Sequence, residues 1–415
     1  MPSLIRTIET DVCVVGAGLI GLAHAHEARR RGLGVVLLER GARATGASVR
    51  DSGHLFFSAL PAGRALDAAP LARERWIDLA RRAGARADEG GTLIIAHRPE
   101  ELAVLEATAC DPGRHARMRS PKKIGKLAPI PVDGVLGGLH AKQDLRIDPR
   151  SATAALARLL GRDPSARIEW GAHVHEIEPG AVHAGALRVR AGAIVVCPGA
   201  DYQMLPRALW SQESSLTLSR SQMLRLASPV GHGYRQTLTT GSSLLGYPGF
   251  CAAGAMQSLG ERLELESPEL VEGGVNLVVA QLGDGDLVVG STTTYADARM
   301  PFSRERLDLL MLGQARSLLG FTPDVRQRWS GTHVRSRRSP DDFLVTRPMP
   351  GVRLVHAVSS TANCLCHTQA ATVLDELLSG PPHVDMYITV HDIRKAGTRI
   401  GGVRDHARAF GPRTE

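Results

Sequence analysis

Residues 11–50 read DVCVVGAGLIGLAHAHEARRRGLGVVLLERGARATGASVR. Four apolar residues, 12–15, predict a strand that runs directly into the glycine-rich turn 16–21. A helix-like stretch continues to about Arg31, and a second apolar strand, 34–38, ends on Glu39. This order of elements is typical of a βαβ unit that binds a dinucleotide: a strand, a glycine turn, a helix, a second strand and an acid.

Each glycine of this unit, the helix and the terminal acid has a physical role. Gly16 permits the tight turn, Gly18 lets the backbone approach a pyrophosphate, and Gly21 lets helix and strand pack closely. The first helix offers its unpaired N–H groups to the phosphates. Glu39 accepts hydrogen bonds from a ribose diol and repels a 2′-phosphate. The motif therefore predicts FAD or NAD and disfavours NADP.

Length and composition limit the class of protein. The 415 residues, 43% of them apolar, suffice for two domains or for a nucleotide-binding domain interrupted by a second one. The sequence has no run of eighteen uncharged apolar residues and no basic segment followed by an apolar run. We therefore expect a cytoplasmic protein without a membrane span. Six cysteines without zinc-ligand spacing predict free thiols and no metal site.

The net positive charge of the chain does not by itself indicate a nucleic-acid-binding protein. The formal charge is +8, but the arginines are scattered among alanine, glycine and acids, and are dense only at 114–126 and 335–338. This distribution favours a solvated surface and an anionic small-molecule ligand over a nucleic acid.

The rest of the chain predicts an α/β fold with an antiparallel insertion. Apolar periodicity predicts helices at 64–85, 99–109, 149–160 and 303–319, and a strand at 168–177. The fully apolar segment 192–197 indicates that the chain re-enters the parallel sheet. Between about 215 and 330 the texture is antiparallel, with a hairpin at 275–281 and 287–291 joined by an Asp-Gly turn. A strand at 352–358, a polar loop at 359–363 and a helix to about 378 follow.

Several motifs in this layout resemble the glycine oxidase and D-amino-acid oxidase superfamily of FAD enzymes, over residues 8–380. The chain is most similar to bacterial FAD-dependent oxidoreductases found with phosphonate-degradation genes. The shared motifs are Gly-Ala-Ser-Val-Arg (46–50), Gly-Gly-Leu-His (137–140), Val-Cys-Pro-Gly-Ala-Asp (196–201), Gln222-Met223 and Trp329-x-Gly331.

The resemblance implies a Rossmann-like FAD-binding domain of the glutathione-reductase type, interrupted by an antiparallel-sheet substrate or cap domain. We predict the FAD-binding domain at 1–80, 140–210 and 330–380. The cap domain is predicted at 81–139 and 211–329. The tail 381–415 is expected to be partly disordered.

The resemblance also assigns the contacts to a non-covalently bound FAD. The predicted cofactor-binding residues are Gly16, Gly18, Gly21, Glu39, Arg40, Ser48, Arg50, Val174, Gly199, Asn363, Cys364 and Leu365. Two departures stand out: the loop 359–367 lacks the glycines of the relatives, and Asp51 and Ser52 replace their asparagine and phenylalanine.

Amine oxidation by a flavin requires a dry pocket, a neutral amine and cations that hold the anion of the substrate. Arg220, Arg225 and Arg335 are the predicted substrate-binding residues, because an arginine pairs bidentately with a carboxylate or phosphonate. Arg337 and Arg338 are further candidates, although at most two or three of the five should face the pocket. His54 and His333 are the candidate catalytic bases.

The predicted reaction is removal of a hydride from the carbon beside a primary or secondary amine. The imine then hydrolyses to an aldehyde or oxo acid, and oxygen or another acceptor takes the electrons. The expected substrate is a small anionic amine, first 2-aminoethylphosphonate or its N-methyl derivative. Glycine, sarcosine or a D-amino acid is the alternative. A larger biosynthetic amine, or a flavin subunit that is not an oxidase, also stays open because of the altered loops, as does the oligomeric state.

Overall fold

The computed structural model describes residues 5–210, 215–250, 253–296, 300–336 and 341–379. The predicted tail 381–415 lies outside these residues, as do Arg337 and Arg338. Twenty strands and ten helices are named below in chain order. The strands are β1 Arg6–Val15, β2 Val35–Glu39, β3 His54–Leu55, β4 Ala87–Asp88, β5 Thr92–Ala96, β6 Ala116–Arg119, β7 Gly137–Ala141, β8 Leu145–Ile147, β9 Ala166–Trp170, β10 Glu176–Glu178, β11 Ala181–Ala184, β12 Leu187–Val196, β13 Leu216–Leu226, β14 Thr237–Thr240, β15 Val278–Gln281, β16 Leu287–Gly290, β17 Thr294–Ala296, β18 Val325–Ser336, β19 Phe343–Thr346 and β20 Val352–Ala357. The helices are α1 Leu19–Arg30, α2 Arg64–Asp67, α3 Ala69–Ala83, α4 Pro99–Ala109, α5 Pro121–Leu127, α6 Pro149–Gly161, α7 Ala253–Glu266, α8 Pro268–Glu272, α9 Glu305–Leu319 and α10 Ala362–Leu378.

The first sheet has a parallel centre. Its order is β10-β11-β12-β1-β2-β9, and β20 pairs with β12 on the far side. β1 runs parallel to both β2 and β12, and its apolar residues 12–15 are buried between them. This pairing confirms the predicted return of the chain to the parallel sheet.

One predicted strand of this sheet is wrong in its extent. The segment 168–177 is not continuous: β9 ends at Trp170, and β10 begins only at Glu176. The break falls at Gly171, whose φ of 72° is a left-handed conformation that an extended strand does not contain. β9 pairs with β2 in the parallel sheet, whereas β10 forms a hairpin with β11.

Four helices cover one face of the first sheet. α1, α3, α6 and α10 form one layer around the buried side chains of Leu22, Leu37 and Trp76, with α1 on β1 and β2, α6 on β9 and α10 on β20. Burial of such a continuous apolar cluster is the main favourable contribution to folding. The predicted helices at 64–85 and 149–160 correspond to α2 with α3 and to α6.

The second sheet is largely antiparallel. Its order is β17-β13-β16-β15-β14-β5-β7-β6, and β18 pairs with β13 along eleven residues of β13. The hairpin β15–β16 and the helix α9 are where the sequence predicts them. A third, small sheet has the order β3-β8-β4.

Two predicted domain boundaries fall inside strands of the second sheet. β18 pairs with β13 on both sides of residue 330, and β7 pairs with β5 on both sides of residue 140. A hydrogen-bonded ladder is not divided between domains, so all of 137–141 and 325–336 belongs with the cap sheet. The division into an FAD-binding and a cap domain otherwise stays a prediction.

Within the described residues, no helix is both long and apolar enough to cross a membrane. The same part of the chain contains no group of three or more His, Cys, Asp or Glu side chains arranged to hold a metal ion.

Glu27 of α1 is a buried acid that links three helices. Its carboxylate accepts hydrogen bonds from Arg30 at 2.7 Å and Arg31 at 2.9 Å, and Arg75 of α3 lies 3.6 Å away. Arg31 in turn donates to the carbonyl of Ala371 in α10. Removing the charge leaves the arginine network without its acceptor, so we expect Glu27→Gln to lower the free energy of unfolding by about 2 kcal/mol. Denaturant titration measures the loss.

Asp78→Asn is the matched control for this prediction, because the ion pair of Asp78 with Arg81 is exposed. That variant should change the free energy of unfolding by no more than about 0.5 kcal/mol. Burial raises the pKa of Glu27, but the hydrogen bonds from Arg30 and Arg31 lower it overall. The contribution of Glu27 is therefore present above its unfolded-state pKa and is lost as the pH falls through its lower folded-state pKa. Equal losses for both variants would contradict this role.

Candidate active site

The glycine turn brings three backbone segments into contact. Gly16 has a φ of 102°, and a Cβ there would lie 2.3 Å from the carbonyl oxygen of Cys197 at the end of β12. A Cβ at Gly21 would lie 1.8 Å from the carbonyl oxygen of Gly16. Both distances exclude any side chain. The turn therefore requires glycine at both positions, as the motif predicts.

The N-terminus of α1 is joined to the second glycine-containing loop, residues 45–53. The Ser48 hydroxyl accepts a hydrogen bond from the backbone N–H of Leu19 at 2.9 Å. Gly18 precedes the helix, and a Cβ on it would lie 3.1 Å from the Ser48 Oγ. Gly18 and Ser48 therefore lie together at the positive end of the helix dipole, where a pyrophosphate is favoured.

Glu39 closes the other side of the turn. One carboxylate oxygen accepts a hydrogen bond from Ala17 N–H at 2.8 Å, and the other accepts one from Gly41 N–H at 2.9 Å. Each oxygen retains a second lone pair, which a ribose hydroxyl can use. The predicted contact between Glu39 and the ribose is compatible with this geometry.

A cavity of about 1100 Å³ lies beside the turn and is lined by Ala17, Thr45 and Val49 together with residues of α6 and β9. None of the described residues that line it is acidic, and six of them are arginines: Arg43, Arg50, Arg150, Arg158, Arg162 and Arg167. A positively charged cavity next to a glycine turn with no room for Cβ atoms fits the ADP half of FAD.

Other predicted cofactor residues lie around this cavity and the parallel sheet. Arg40 forms an ion pair with Asp201, close to Gly199, whose φ is 57°. Val174 is buried in the apolar layer on the second face of the sheet. Arg50 donates to the carbonyl oxygens of Thr45 and Ser330, both at 2.9 Å. Arg50 thus fixes the loop 45–53 against β18.

The glycine-poor loop 359–363 is held by a carboxylate. Asp342 accepts hydrogen bonds from the hydroxyls of Ser359 and Thr361, the latter at 2.6 Å. The Ser359 hydroxyl also accepts from Thr361 N–H at 3.1 Å. Two hydroxyls and one buried aspartate therefore fix a turn that glycines form in the relatives. α10 begins inside the predicted loop, at Ala362.

Asn363, Cys364 and Leu365 occupy the first turn of α10. The Asn363 side-chain amide donates to Asp51 at 3.1 Å. The backbone carbonyl of Asn363 accepts a hydrogen bond from the indole N–H of Trp76 at 3.0 Å. Cys364 is buried, and burial raises the pKa of its thiol well above the ordinary value. The thiol is therefore protonated at neutral pH. Leu365 packs in the helical core.

His54 is held by a buried hydroxyl and carboxylate. Its Nε2 lies 2.6 Å from the Thr92 Oγ1, and the Thr92 hydroxyl also hydrogen-bonds the buried Asp144. Burial raises the pKa of Asp144 to about 7, so the Thr92 hydroxyl can donate either to an ionised Asp144 or to the Nε2 of His54. Burial, followed by the charge of Arg146, lowers the pKa of His54 to about 3.

His333 is also neutral. Its Nε2 lies 3.0 Å from the Ser221 hydroxyl on the neighbouring strand β13. Burial and the nearby Arg335 lower the pKa of His333 to about 4, against the opposing effect of Asp51. At neutral pH both predicted catalytic histidines are therefore unprotonated and able to accept a proton. Their assignment as bases stays a prediction.

The three predicted substrate arginines do not share a face. In the β13–β18 ladder Thr217 lies opposite Arg335, and Arg220 lies opposite Thr332. Since neighbouring residues of a strand point to opposite faces, Arg220 and Arg335 point away from each other. His333 shares the face of Arg335, and this face contacts Arg50: a Cβ at Gly331 would lie 3.4 Å from the Arg50 Cβ.

Two of the arginine predictions need correction. Arg220 is buried, and its two terminal nitrogens donate to the carbonyls of Met300 and Phe302 and to the hydroxyls of Ser303 and Ser330 inside the protein, while its Nε is buried. Arg225 forms ion pairs with Asp284 at 2.5 Å and Asp286 at 2.6 Å, at the turn of the β15–β16 hairpin. Neither is available to a substrate.

Arg335 differs from both. Its side chain is half-buried, and among the described residues its guanidinium has no hydrogen bond or ion pair with a protein group. Burial lowers its pKa below the ordinary value, and the acidic groups Tyr295, Asp51 and Tyr247 oppose this shift. A partly buried cation that has no partner among the described residues is the feature of this site that suits an anionic ligand.

The sequence did not single out the two tyrosines, because no motif surrounds them and they approach Arg335 only through the packing of the cap sheet. Asp51 was noticed as a departure from the relatives. Its position beside Arg335 depends on how β18 lies against the loop 45–53.

The described geometry was compared with known proteins. A family model described as FAD dependent oxidoreductase, DAO, matches residues 11–367. The fold is similar to glycine oxidase from Geobacillus kaustophilus, with a TM-score of 0.71, 17% identity, and coverage of 91% of this chain and 96% of that one. Iminodiacetate oxidase from Chelativorans sp. gives a TM-score of 0.68 at 15% identity, covering 90% and 96%. No curated protein sequence matches the chain.

The protein belongs to the DAO family of FAD-dependent oxidoreductases, since the family model spans most of the chain. This finding confirms the predicted fold class, the FAD cofactor and the oxidoreductase class. The closer similarity to phosphonate-associated oxidoreductases stays a prediction.

Gly18 tests the cofactor site without disturbing the fold. Its φ of −67° and ψ of 174° are open to alanine, but a Cβ would occupy the space in which the backbone approaches the pyrophosphate. We expect Gly18→Ala to weaken FAD binding roughly tenfold or more. Titration of the apoprotein with FAD, followed by flavin fluorescence, measures this change.

Gly46→Ala is the control, because a Cβ at Gly46 meets nothing within 4 Å. That variant should bind FAD as the wild type does. Unchanged affinity in Gly18→Ala would show that the pyrophosphate does not lie against Gly18.

Proposed function

We propose that the protein oxidises a small amine that carries an anionic group, using FAD. The single observation that supports this most directly is Arg335, an unpaired and half-buried cation on the face of β18 that contacts the loop 45–53. An anion bound there places the rest of the substrate between the cap sheet and the start of α10.

FAD, once bound, supplies the acceptor for the hydride that leaves the carbon beside the amine nitrogen. The residues suited to hold it are the glycine turn with Ser48 and Glu39, the loop 45–53, and the first turn of α10. The remaining requirements are met by the protein itself: binding the anion, orienting the amine, excluding water and accepting protons.

Arg335 is the proposed anion anchor. A guanidinium offers two parallel N–H donors to a carboxylate or phosphonate, and Tyr295 and Tyr247 stand beside it with hydroxyls that suit the remaining oxygens. Tyr247 also accepts a hydrogen bond from Asn276 at 2.8 Å, which fixes its ring near the anchor. The guanidinium and the tyrosines act in substrate binding and not in the chemical step, because they bind a part of the substrate that does not change.

The two neutral histidines are the proposed proton relays: with lowered pKa values they take the proton only transiently and pass it on to solvent. A flavin oxidises the neutral form of an amine, so a group must take the proton of the ammonium. His333 lies on the same face of β18 as Arg335, whereas His54 is fixed by Thr92. We assign the amine to the side of His333, and His54 to the opposite wall.

An aminophosphonate is our first proposal for the substrate, namely 2-aminoethylphosphonate or its N-methyl derivative. The similarity in Gly-Ala-Ser-Val-Arg (46–50) and Trp329-x-Gly331 to phosphonate-associated oxidoreductases supports it. Glycine, sarcosine or a D-amino acid is the second candidate, because an arginine binds carboxylates equally well. Two proteins with a similar fold, glycine oxidase and iminodiacetate oxidase, are named for carboxylate-bearing amines. We place the enzyme in the cytoplasm.

The loop 359–363 bears on the alternatives of a larger substrate or an inactive subunit. Both were suggested by its missing glycines. Asp342 and the hydroxyls of Ser359 and Thr361 provide another way to fix the loop, and this supports an intact flavin contact at α10.

Turnover assays with matched pairs of amines test the proposed function. The panel contains 2-aminoethylphosphonate, its N-methyl derivative, glycine and sarcosine, each beside the corresponding uncharged alkylamine. Oxidation is followed both as peroxide and with an artificial electron acceptor. Oxidation of one anionic class, without oxidation of its uncharged partner, is expected. Oxidation of uncharged amines alone would refute the anionic substrate.

Arg335→Ala should raise KM for every anionic amine about a hundredfold, because loss of a charged hydrogen-bonding group costs roughly 1.5–3 kcal/mol. Arg335→Lys should recover part of the loss, since it keeps the charge but not the fork. Arg225→Gln is the matched control and should leave KM unchanged, because Arg225 pairs with Asp284 and Asp286. Equal effects at both positions would show that the loss comes from the net charge of the protein.

A further inference from the structure

Asp51 is a carboxylate beside the proposed substrate site that has no cationic partner. Its Oδ1 accepts the backbone N–H of Ser52 at 2.6 Å and the Ser52 hydroxyl at 3.3 Å, and its Oδ2 accepts the Asn363 amide at 3.1 Å. Among the described residues, no lysine, arginine or histidine nitrogen lies within 4.0 Å of it. All three hydrogen bonds come from neutral groups, so the negative charge is held in place and not neutralised.

Asp51 lies in a loop that packs against β18, the strand that carries Arg335. The preceding Arg50 carbonyl accepts the indole N–H of Trp329 at 2.9 Å, which fixes the backbone at residue 51 against β18. The neighbouring Arg50 packs against the face of β18 that carries His333 and Arg335, because a Cβ at Gly331 would lie 3.4 Å from the Arg50 Cβ. The negative charge of Asp51 influences both His333 and Arg335. Asp51 therefore lies beside this face of β18.

The site thus has two opposite charges that do not pair with each other. Asp51 and Arg335 interact electrostatically but form no ion pair within 4.0 Å. A partly buried charge without a partner is unfavourable, and a ligand that supplies the opposite charge removes this cost. A zwitterion supplies both charges at once: an anion for Arg335 and an ammonium for Asp51.

We propose that Asp51 is the residue that recognises the ammonium group of the substrate. The pocket then selects zwitterions, with the cationic end at Asp51 and the anionic end at Arg335. This inference rests on the proposed function and adds to it the charge of the substrate at its reacting end. About four lone-pair positions are available on a carboxylate, of which the Ser52 N–H, the Ser52 hydroxyl and the Asn363 amide use three, so Asp51 retains an acceptor for an ammonium.

Asp51→Asn isolates the charge from the structural role. An asparagine keeps an oxygen for the Ser52 N–H, and the Asn363 amide can turn to present its own oxygen to the new NH₂ group. The loop contacts are retained in this way while the negative charge is removed. Asp51→Glu restores the charge and should restore ammonium recognition at least in part.

The experiment measures ligand binding to the oxidised holoenzyme by the change in flavin absorbance, with probes that cannot be oxidised. 2-Amino-2-methylpropanoate has no hydrogen on the carbon beside its amine, and pivalate has the same shape with a methyl group in place of the amine. (1-Amino-1-methylethyl)phosphonate and tert-butylphosphonate form the corresponding phosphonate pair. The ratio of the two dissociation constants in a pair reports recognition of the ammonium.

The wild type should bind the amine-bearing probe of a pair about ten- to a hundredfold more tightly than the amine-free probe. Asp51→Asn should abolish this preference, and it should bind the amine-free anion as tightly as the wild type or more so. Asp284→Asn, which removes a carboxylate from the β15–β16 turn, should leave the preference intact.

A preference that persists in Asp51→Asn would overturn the inference, as would a wild type that binds neither probe of either pair. Arg335→Ala distinguishes failure of this inference from failure of the proposed function. If Arg335→Ala loses both probes while Asp51→Asn keeps the preference, the anion site stands and only the role of Asp51 is wrong. If Arg335→Ala binds both probes normally, the proposed function itself is wrong.

Discussion

The structure depends on a backbone contact that leaves no space for a side chain. The carbonyl of Cys197 lies where the Cβ of residue 16 would be, and the carbonyl of Gly16 lies where the Cβ of residue 21 would be. Three segments that are far apart in the sequence, β1, α1 and β12, meet at this point. The contact sets the direction of α1, and through Ser48 it also sets the position of the loop 45–53.

The loop 45–53 then determines the candidate active site. Arg50 donates to the Ser330 carbonyl, and Trp329 donates to the Arg50 carbonyl, so two hydrogen bonds in opposite directions join the loop to β18. Asp51 receives the amide of Asn363 from α10. The first sheet, the cap sheet and the last helix are therefore held together by three consecutive contacts. Arg335 and His333 lie at this junction, on the face of β18 that contacts Arg50.

The glycine turn could be predicted from sequence because its chemistry is local: the residues that need glycine are neighbours in the chain. The fold class followed from the same motif and from the buried strand 192–197. The roles of the arginines could not be predicted in this way. Arg220 and Arg335 look equivalent as sequence, and only the register of β13 against β18 places them on opposite faces. Arg225 is paired by two aspartates more than fifty residues away.

The loop 359–363 also shows that local sequence does not determine a site. Its sequence lacks the expected glycines, but Asp342 supplies the missing constraint from the bend before β19, which the motif does not include. Local sequence therefore indicates what a segment lacks, and the tertiary contacts show what replaces it.

The central claim is that this chain binds FAD and reduces it with a small anionic amine. Anaerobic mixing of the purified yellow protein with single compounds, followed by flavin absorbance, tests it most directly. The account predicts bleaching by an aminophosphonate or an amino acid, and no bleaching by the matching amine without an anionic group. A colourless protein that takes up no FAD, or a yellow one that no anionic amine bleaches, would contradict it.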